Sequence, residues 1–206
     1  MKNDIVQKII YELVSKLFVL PIYKFVFKGH LIGKENIPHK EPFIMVSNHG
    51  SLLDPPLLGH ALGRNVSFMA KAELFEIPFL GFVIKACGAY PVKRGIADKK
   101  TIKTACEKLS NDNCIGIFID GTRQKNGRVN NPKQGAALLA FKNQKLLLPV
   151  AIVNSHRLIR FKFCIPLFSK IVIKVGQPIQ PPQSSSRDDL NSVTMHLRDN
   201  INNLIG

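Results

Sequence analysis

The chain of 206 residues carries 29 Lys and Arg against 14 Asp and Glu, a formal net charge of +15 on an ordinary 45% apolar composition. That length fits one domain with a substantial core and at most a small appendage, and the charge calls for an anionic partner: nucleic acid, an anionic membrane surface or a phosphorylated substrate. Four dispersed cysteines (Cys87, Cys106, Cys114, Cys164) with no C-x-x-C pair exclude a zinc framework and argue against a disulfide scaffold, leaving reduced thiols in a cytosolic setting.

Residues 1–28 are amphipathic. Ile5, Val6, Ile9, Ile10, Leu13, Val14, Leu17 and Phe18 recur at helical spacing with Lys2, Lys8, Glu12 and Lys16 between them. No uninterrupted apolar run of 18 residues occurs, so neither a cleaved leader nor a membrane span is expected. Pro21 should kink or restart this helix, and Ile22 to Phe27 follow with Lys24 and Lys28. Such a segment suits the membrane interface; packing on the domain core is the other reading. A short strand and turn follow over 30–42, then the apolar run Phe43-Ile44-Met45-Val46 predicts a buried strand. It ends in Ser47-Asn48-His49-Gly50-Ser51, and Asp54-Pro55 predicts a helix start with Asp54 as N-cap. Val66 to Ala70 is the next strand. Residues 75–87 are too short to span a bilayer and are either a buried helix or a second element dipping into the interface.

Further strands are expected at Gly88 to Gly95, Cys114 to Ile119, Leu146 to Val153 and Ile171 to Val175. Helices are expected at 98–110, from Gly135 to Phe141 and from Arg187 to Leu204. The polar stretch Gln124 to Gln134 should be a mobile loop. Strands alternating with helices predict an α/β fold, a single domain with a central mixed sheet flanked by helices.

Three strand ends carry polar groups: His49 and Asp54, Lys93 and Arg94, and Asp120-Gly121-Thr122-Arg123. In open α/β sheets ligands sit beyond the carboxyl ends of strands, so these ends should converge on one cleft. A carboxylate on one nitrogen of His49 would fix its tautomer and leave the other nitrogen to take a proton from a hydroxyl. Arg123, following a buried strand and a glycine, is placed to bind phosphate in a planar, bidentate way. A metal-dependent hydrolase using His49, Asp54 and Asp120 lacks convincing ligand spacing. A non-catalytic binder of anionic lipid or nucleic acid explains the charge but not the histidine turn.

Gly33-Lys34-Glu35-Asn36-Ile37-Pro38 and Val46-Ser47-Asn48-His49-Gly50-Ser51-Leu52-Leu53-Asp54-Pro55, with its N-H-x4-D pattern, resemble the opening of the glycerolipid acyltransferase family, nearest to the 1-acyl-sn-glycerol-3-phosphate acyltransferases. Gly88 to Gly95, ending at Arg94, is similar to that family's second block. Phe118-Ile119-Asp120-Gly121-Thr122-Arg123 is similar to the third, usually F-P-E-G-T-R-S, and Leu148-Pro149-Val150-Ala151 to the fourth. Ile119, Asp120 and Gln124 depart from the third block; Asp120 keeps the charge on a shorter arm. The resemblance covers roughly residues 30–180; with the amphipathic pattern before it, the chain is expected to divide into an N-terminal membrane-anchoring segment, 1–28, and an acyltransferase domain, 29–206.

It implies transfer of a fatty acyl group from acyl-CoA or acyl carrier protein to the sn-2 hydroxyl of lysophosphatidic acid, giving phosphatidic acid for phospholipid synthesis at the cytoplasmic face of an anionic membrane. Another lysophospholipid as acceptor is the alternative. His49 would be the general base and Asp54 its partner. Arg94, Asp120, Gly121, Thr122 and Arg123 would bind the acceptor, and donors at the histidine turn would stabilise the oxyanion. No cofactor, metal or nucleic acid is implied.

Overall fold

The structure, a computed structural model, describes residues 9–92, 99–158 and 169–206. Arg94 and its neighbour Lys93 lie outside the described residues, as do Cys164 and the first eight residues of the amphipathic segment.

Among the described residues seven strands form one mixed sheet. Its spatial order is β1 (His30–Ile32), β7 (Val172–Val175), β6 (Leu147–Val153), β2 (Ile44–Ser47), β5 (Cys114–Phe118), β3 (Val66–Lys71) and β4 (Tyr90–Val92). Strands β2 to β6 run parallel, β7 runs antiparallel to β6, and β1 runs parallel to β7. All four residues of β2 are buried, because helices cover the central sheet on both faces; that is why its sequence is a continuous apolar run and not an alternation.

One face is covered by α1 (residues 9–26) and α2 (Asp54–Leu62), where Phe27, Leu57 and Leu58 pack on Phe43, Met45, Val150 and Ile152. The other face is covered by α4 (Lys99–Ser110), α5 (Gly135–Asn143) and α6 (Arg187–Ile205), whose Leu109, Leu139 and Leu197 meet Ile44, Val46 and Ile115. Helix α6 starts where the Ser186 side chain accepts from Asp189 N–H, with Asp188 and Asp189 at the positive end of the helix dipole. A short helix, α3 (Leu80–Ala86), lies between β3 and β4.

Pro21 does not end α1. The turns on either side of it, Ser15–Val19 and Ile22–Val26, are π-helical, with Leu20 N–H bonding Ser15 O and Phe27 N–H bonding Ile22 O. The wider turn takes up the missing N–H and the bulk of the proline ring without a break.

The crossovers after β2 and β5 matter most for function. These two strands are neighbours, with Ser47 beside Phe118, yet β2 continues into α2 on one face while β5 leads to α5 on the other. Where adjacent parallel strands send their connections to opposite faces, a crevice opens beyond their carboxyl ends. His49 follows one of these strands and Asp120 the other.

Candidate active site

The turn after β2 folds back on itself around one carboxylate. Asp54, with no exposed surface, places Oδ2 at 2.8 Å from His49 Nδ1, and the same oxygen accepts from Gly50 N–H at 2.7 Å and Ser51 N–H at 2.9 Å. A carboxylate partner assigns the proton to Nδ1, which leaves Nε2 with its lone pair. His49 is 7% exposed and stacks on the Phe118 ring with centroids 3.9 Å apart and planes 14° from parallel. Asp54 Oδ1 is buried without a hydrogen-bond partner among the described residues.

Asp54 is therefore not the N-cap its sequence position predicts. It is the first residue of α2, and its carboxylate turns back to the preceding turn instead of forward to the helix N–H groups. The expectation that donors of this turn would stabilise an oxyanion changes for the same reason, because the Gly50 and Ser51 N–H groups are already committed to Asp54.

Asn48 fixes the turn to its surroundings. Its buried amide donates to Gly127 O at 2.7 Å and Ile152 O at 2.9 Å and accepts from Ile152 N–H at 2.8 Å, joining β2, β6 and the loop after β5. Nothing in the sequence gives Asn48 this role beyond its place between an apolar run and a histidine. Sequence reasoning expects the strand ends to converge but misses Phe118 itself, because nothing in an apolar run shows that this ring stacks on the histidine of the neighbouring strand end.

The loop after β5 is tied down, not free as its composition predicts. Gln124 N–H donates to His49 O at 2.7 Å, so Arg123 is one residue from a direct link to the histidine. Asp120, 5% exposed, accepts from Asn130 N–H at 3.2 Å and Asn131 N–H at 2.7 Å. Val129 exchanges backbone hydrogen bonds with the side chain of Asn202 on α6. Gly121 turns with φ +69°, and Thr122 and Arg123 beyond it are exposed. Gly127, at φ +71°, lies so close to His156 that a Cβ there would fall 2.3 Å from its Nδ1, and a Cβ on Gly50 would fall 2.7 Å from the His156 backbone nitrogen. His156 thus wedges both turns against β6. Burial lowers the His156 pKa below its usual 6.5, helped by Arg157 and opposed by Asp54.

The structure brings His49, Asp54, Asp120, Gly121, Thr122 and Arg123 to one sheet edge. Strand β4, which leads to Arg94, ends at the same edge on the far side of β3. Among the described residues no group of three or more His, Cys, Asp or Glu side chains could hold a metal ion.

Residues 29–153 match the family model described as Acyltransferase. The chain is 31% identical over 152 residues to the chloroplastic 1-acyl-sn-glycerol-3-phosphate acyltransferase LPAT1 of Arabidopsis thaliana, covering 72% of this chain and 42% of that one. It is 38% identical over 124 residues to the 1-acyl-sn-glycerol-3-phosphate acyltransferase of Helicobacter pylori, covering 58% and 52%. The crystal structure of the 1-acyl-sn-glycerophosphate acyltransferase PlsC from Thermotoga maritima superimposes with a TM-score of 0.73 at 28% identity, covering 95% of this chain and 78% of that one. The chain spans about half the length of the curated relatives it matches.

Proposed function

The chain belongs to the acyltransferase family, and from that premise we propose that it is a 1-acyl-sn-glycerol-3-phosphate O-acyltransferase of phospholipid synthesis. The observation that carries this reading is the His49–Asp54 pair at the switch point, with Nδ1 held by a carboxylate and Nε2 open to take a proton. In the proposed reaction the sn-2 hydroxyl of lysophosphatidic acid gives its proton to His49 Nε2, and the oxygen attacks the thioester carbonyl of acyl-CoA or acyl carrier protein. The C–S bond breaks, the ester of phosphatidic acid forms, and the proton passes to the departing thiolate. Asp54 stabilises the transient imidazolium.

Arg123, Thr122 and Gly121 belong on the acceptor side, where an exposed guanidinium can meet a phosphate bidentately. Arg94 is assigned there by its motif. Asp120 serves that side through its hold on the 130–131 backbone, which fixes the loop carrying Arg123. Purified protein with lysophosphatidic acid and either thioester donor should form phosphatidic acid. His49→Ala should lower the rate about 10²- to 10⁴-fold with the fold intact by circular dichroism. A folded His49→Ala protein within threefold of wild type would remove the base assignment.

The same reading places the enzyme on an anionic bilayer at the cytoplasmic face. Helix α1 has two apolar sides: Tyr11, Ser15, Val19, Tyr23 and Val26 bond or pack inward, whereas Leu13, Leu17, Phe18, Ile22 and Phe25 are exposed. A second apolar cluster, Ile77, Phe79, Leu80 and Phe82, is exposed where the chain enters α3 and along its first turn, with Phe79 82% exposed at φ +64°. Among the described residues no helix is long and apolar enough to cross a membrane, so both clusters would lie in the interface. The chain has no tryptophan, so Phe79→Trp gives a single reporter. Its emission should shift to the blue with phosphatidylglycerol vesicles. Water-like emission from protein that co-sediments with the vesicles would exclude this cluster from the bilayer.

A further inference from the structure

We propose that Phe118 is a positioning residue of the acyltransferase site, an aromatic platform that holds the plane of His49 and stabilises the imidazolium formed when the acceptor hydroxyl gives up its proton. The inference rests on the reading of His49 as general base. Its starting point is the stack of the two rings, 3.9 Å between centroids and 14° between planes.

Two constraints are needed to fix an imidazole. The hydrogen bond from Nδ1 to Asp54, 2.8 Å long, sets where one ring nitrogen lies, but a single bond leaves the ring free to rock about that contact. A flat neighbour removes the rocking. Phe118 is held for this task from two sides. Its backbone is in the β2–β5 register beside Ser47, and its ring stacks with Phe68 at 5.6 Å. Phe68 is itself locked against Gly116, where a Cβ would fall 2.4 Å from the Phe68 ring.

The geometry also discriminates between the two charge states. Neutral aromatic pairs favour offset or edge-to-face arrangements with centroids roughly 4.5–7 Å apart, because the negative faces of two rings repel. A nearly parallel pair at 3.9 Å is poor for a neutral imidazole and good for a cation, which the ring face attracts. The contact thus strengthens as the proton transfers. Interactions stronger in the transition state than in the ground state raise kcat, whereas uniform binding lowers KM only. The effect of Phe118 should fall on kcat.

The test combines kinetics with proton NMR of the histidine rings. In wild type, His49 ring protons over the Phe118 face should resonate upfield of those of the exposed His30 and His39. Phe118→Leu should abolish that displacement and lower kcat about tenfold, with KM for lysophosphatidic acid and acyl donor within about twofold. Phe118→Tyr keeps the ring and should restore both. Leu197→Ala removes core packing on the opposite face of the sheet and touches neither ring, so it should lower the melting temperature and leave kcat within about threefold. An active, folded Phe118→Leu enzyme with wild-type kcat, or His49 signals that do not move, would overturn the platform and leave the acyltransferase reading standing. A wild-type protein that transfers no acyl group would overturn both.

Discussion

The two ends of helix α2 hold two histidines in arrangements that match in outline and differ in charge. Below its N-terminus, His49 bonds through Nδ1 to a carboxylate at 2.8 Å and lies face-on to Phe118. At its C-terminal end, His60 bonds through Nδ1 to the hydroxyl of Ser15 at 2.7 Å and meets the edge of Tyr23, 66° between planes. The first setting supplies an anion that fixes the Nδ1 proton and a ring face laid against the imidazole. The second supplies a neutral hydroxyl in place of the anion, and burial lowers the His60 pKa below 6.5. On the proposed reading the first site accepts a proton during the reaction, whereas the second seats α1 through a neutral hydroxyl. Residue type is the same in both; partner charge and ring orientation decide the role.

Replacing the anion while keeping the shape should have the largest effect. In Asp54→Asn the side-chain oxygen can still face His49, Gly50 and Ser51, and the new amide nitrogen would occupy the place of Oδ1, which has no hydrogen-bond partner among the described residues. The fold and the tautomer survive, and only the counter-charge is lost. Activity should fall about 10²- to 10⁴-fold, while the unpaired amide N–H groups lower the melting temperature by only a few degrees and leave the protein folded at the assay temperature. If Asp54→Asn kept full activity, the His49 site would need no more charge than the His60 site has.

A smaller effect belongs to the turn beside it. The polar side chains of the turn after β2 are buried and internally bonded, whereas Arg123 is exposed one residue before Gln124 N–H reaches His49 O. Arg123→Lys keeps the charge and loses the planar fork, so KM for lysophosphatidic acid should rise about tenfold while KM for the donor stays put. Equal rises in both would move Arg123 from the acceptor to a general structural role.

The sequence reveals the parts that depend on composition over a stretch. Apolar runs bounded by turn residues mark β2, β5 and β6 because a buried strand cannot be polar, and the order of the motifs places both turns at strand ends. What depends on a distant partner is not legible. Asp54 before Pro55 has the signature of a cap, and only the fold of the turn shows its carboxylate pointing back to Gly50. Gln124 to Gln134 has the composition of a free loop, yet Asn48, Asp120 and Asn202 supply partners from 10 to 79 positions away. For α1, periodicity finds the helix but cannot say which face looks inward, because Tyr11, Ser15 and Tyr23 share the inward side with Val19 and Val26 while Leu17, Phe18 and Phe25 stay exposed.

The smallest effect concerns the neutral histidine. His60 has a folded pKa below its unfolded value of 6.5, so the unfolded chain binds the proton more readily. The stabilisation is complete above pH 6.5 and is lost as pH falls through the window between 6.5 and the folded value. His156 has the same sign, with burial as its main cause, so deleting one histidine leaves part of the slope. Thermal midpoints of wild type and His60→Gln should therefore be compared from pH 7.5 to 5. The wild type should lose roughly 1–2 °C more than the variant over that range, the scale of a fraction of a kcal/mol in a protein of this size. Ser15→Asp extends the test by giving His60 the carboxylate that His49 has. The new carboxylate should raise the folded pKa against the burial that lowers it, so the loss of stability at low pH should shrink, and should reverse in sign where the charge outweighs burial. If Ser15→Asp left the slope as in wild type, partner charge would not be what separates the two histidines, and ring orientation and burial alone would have to account for the difference.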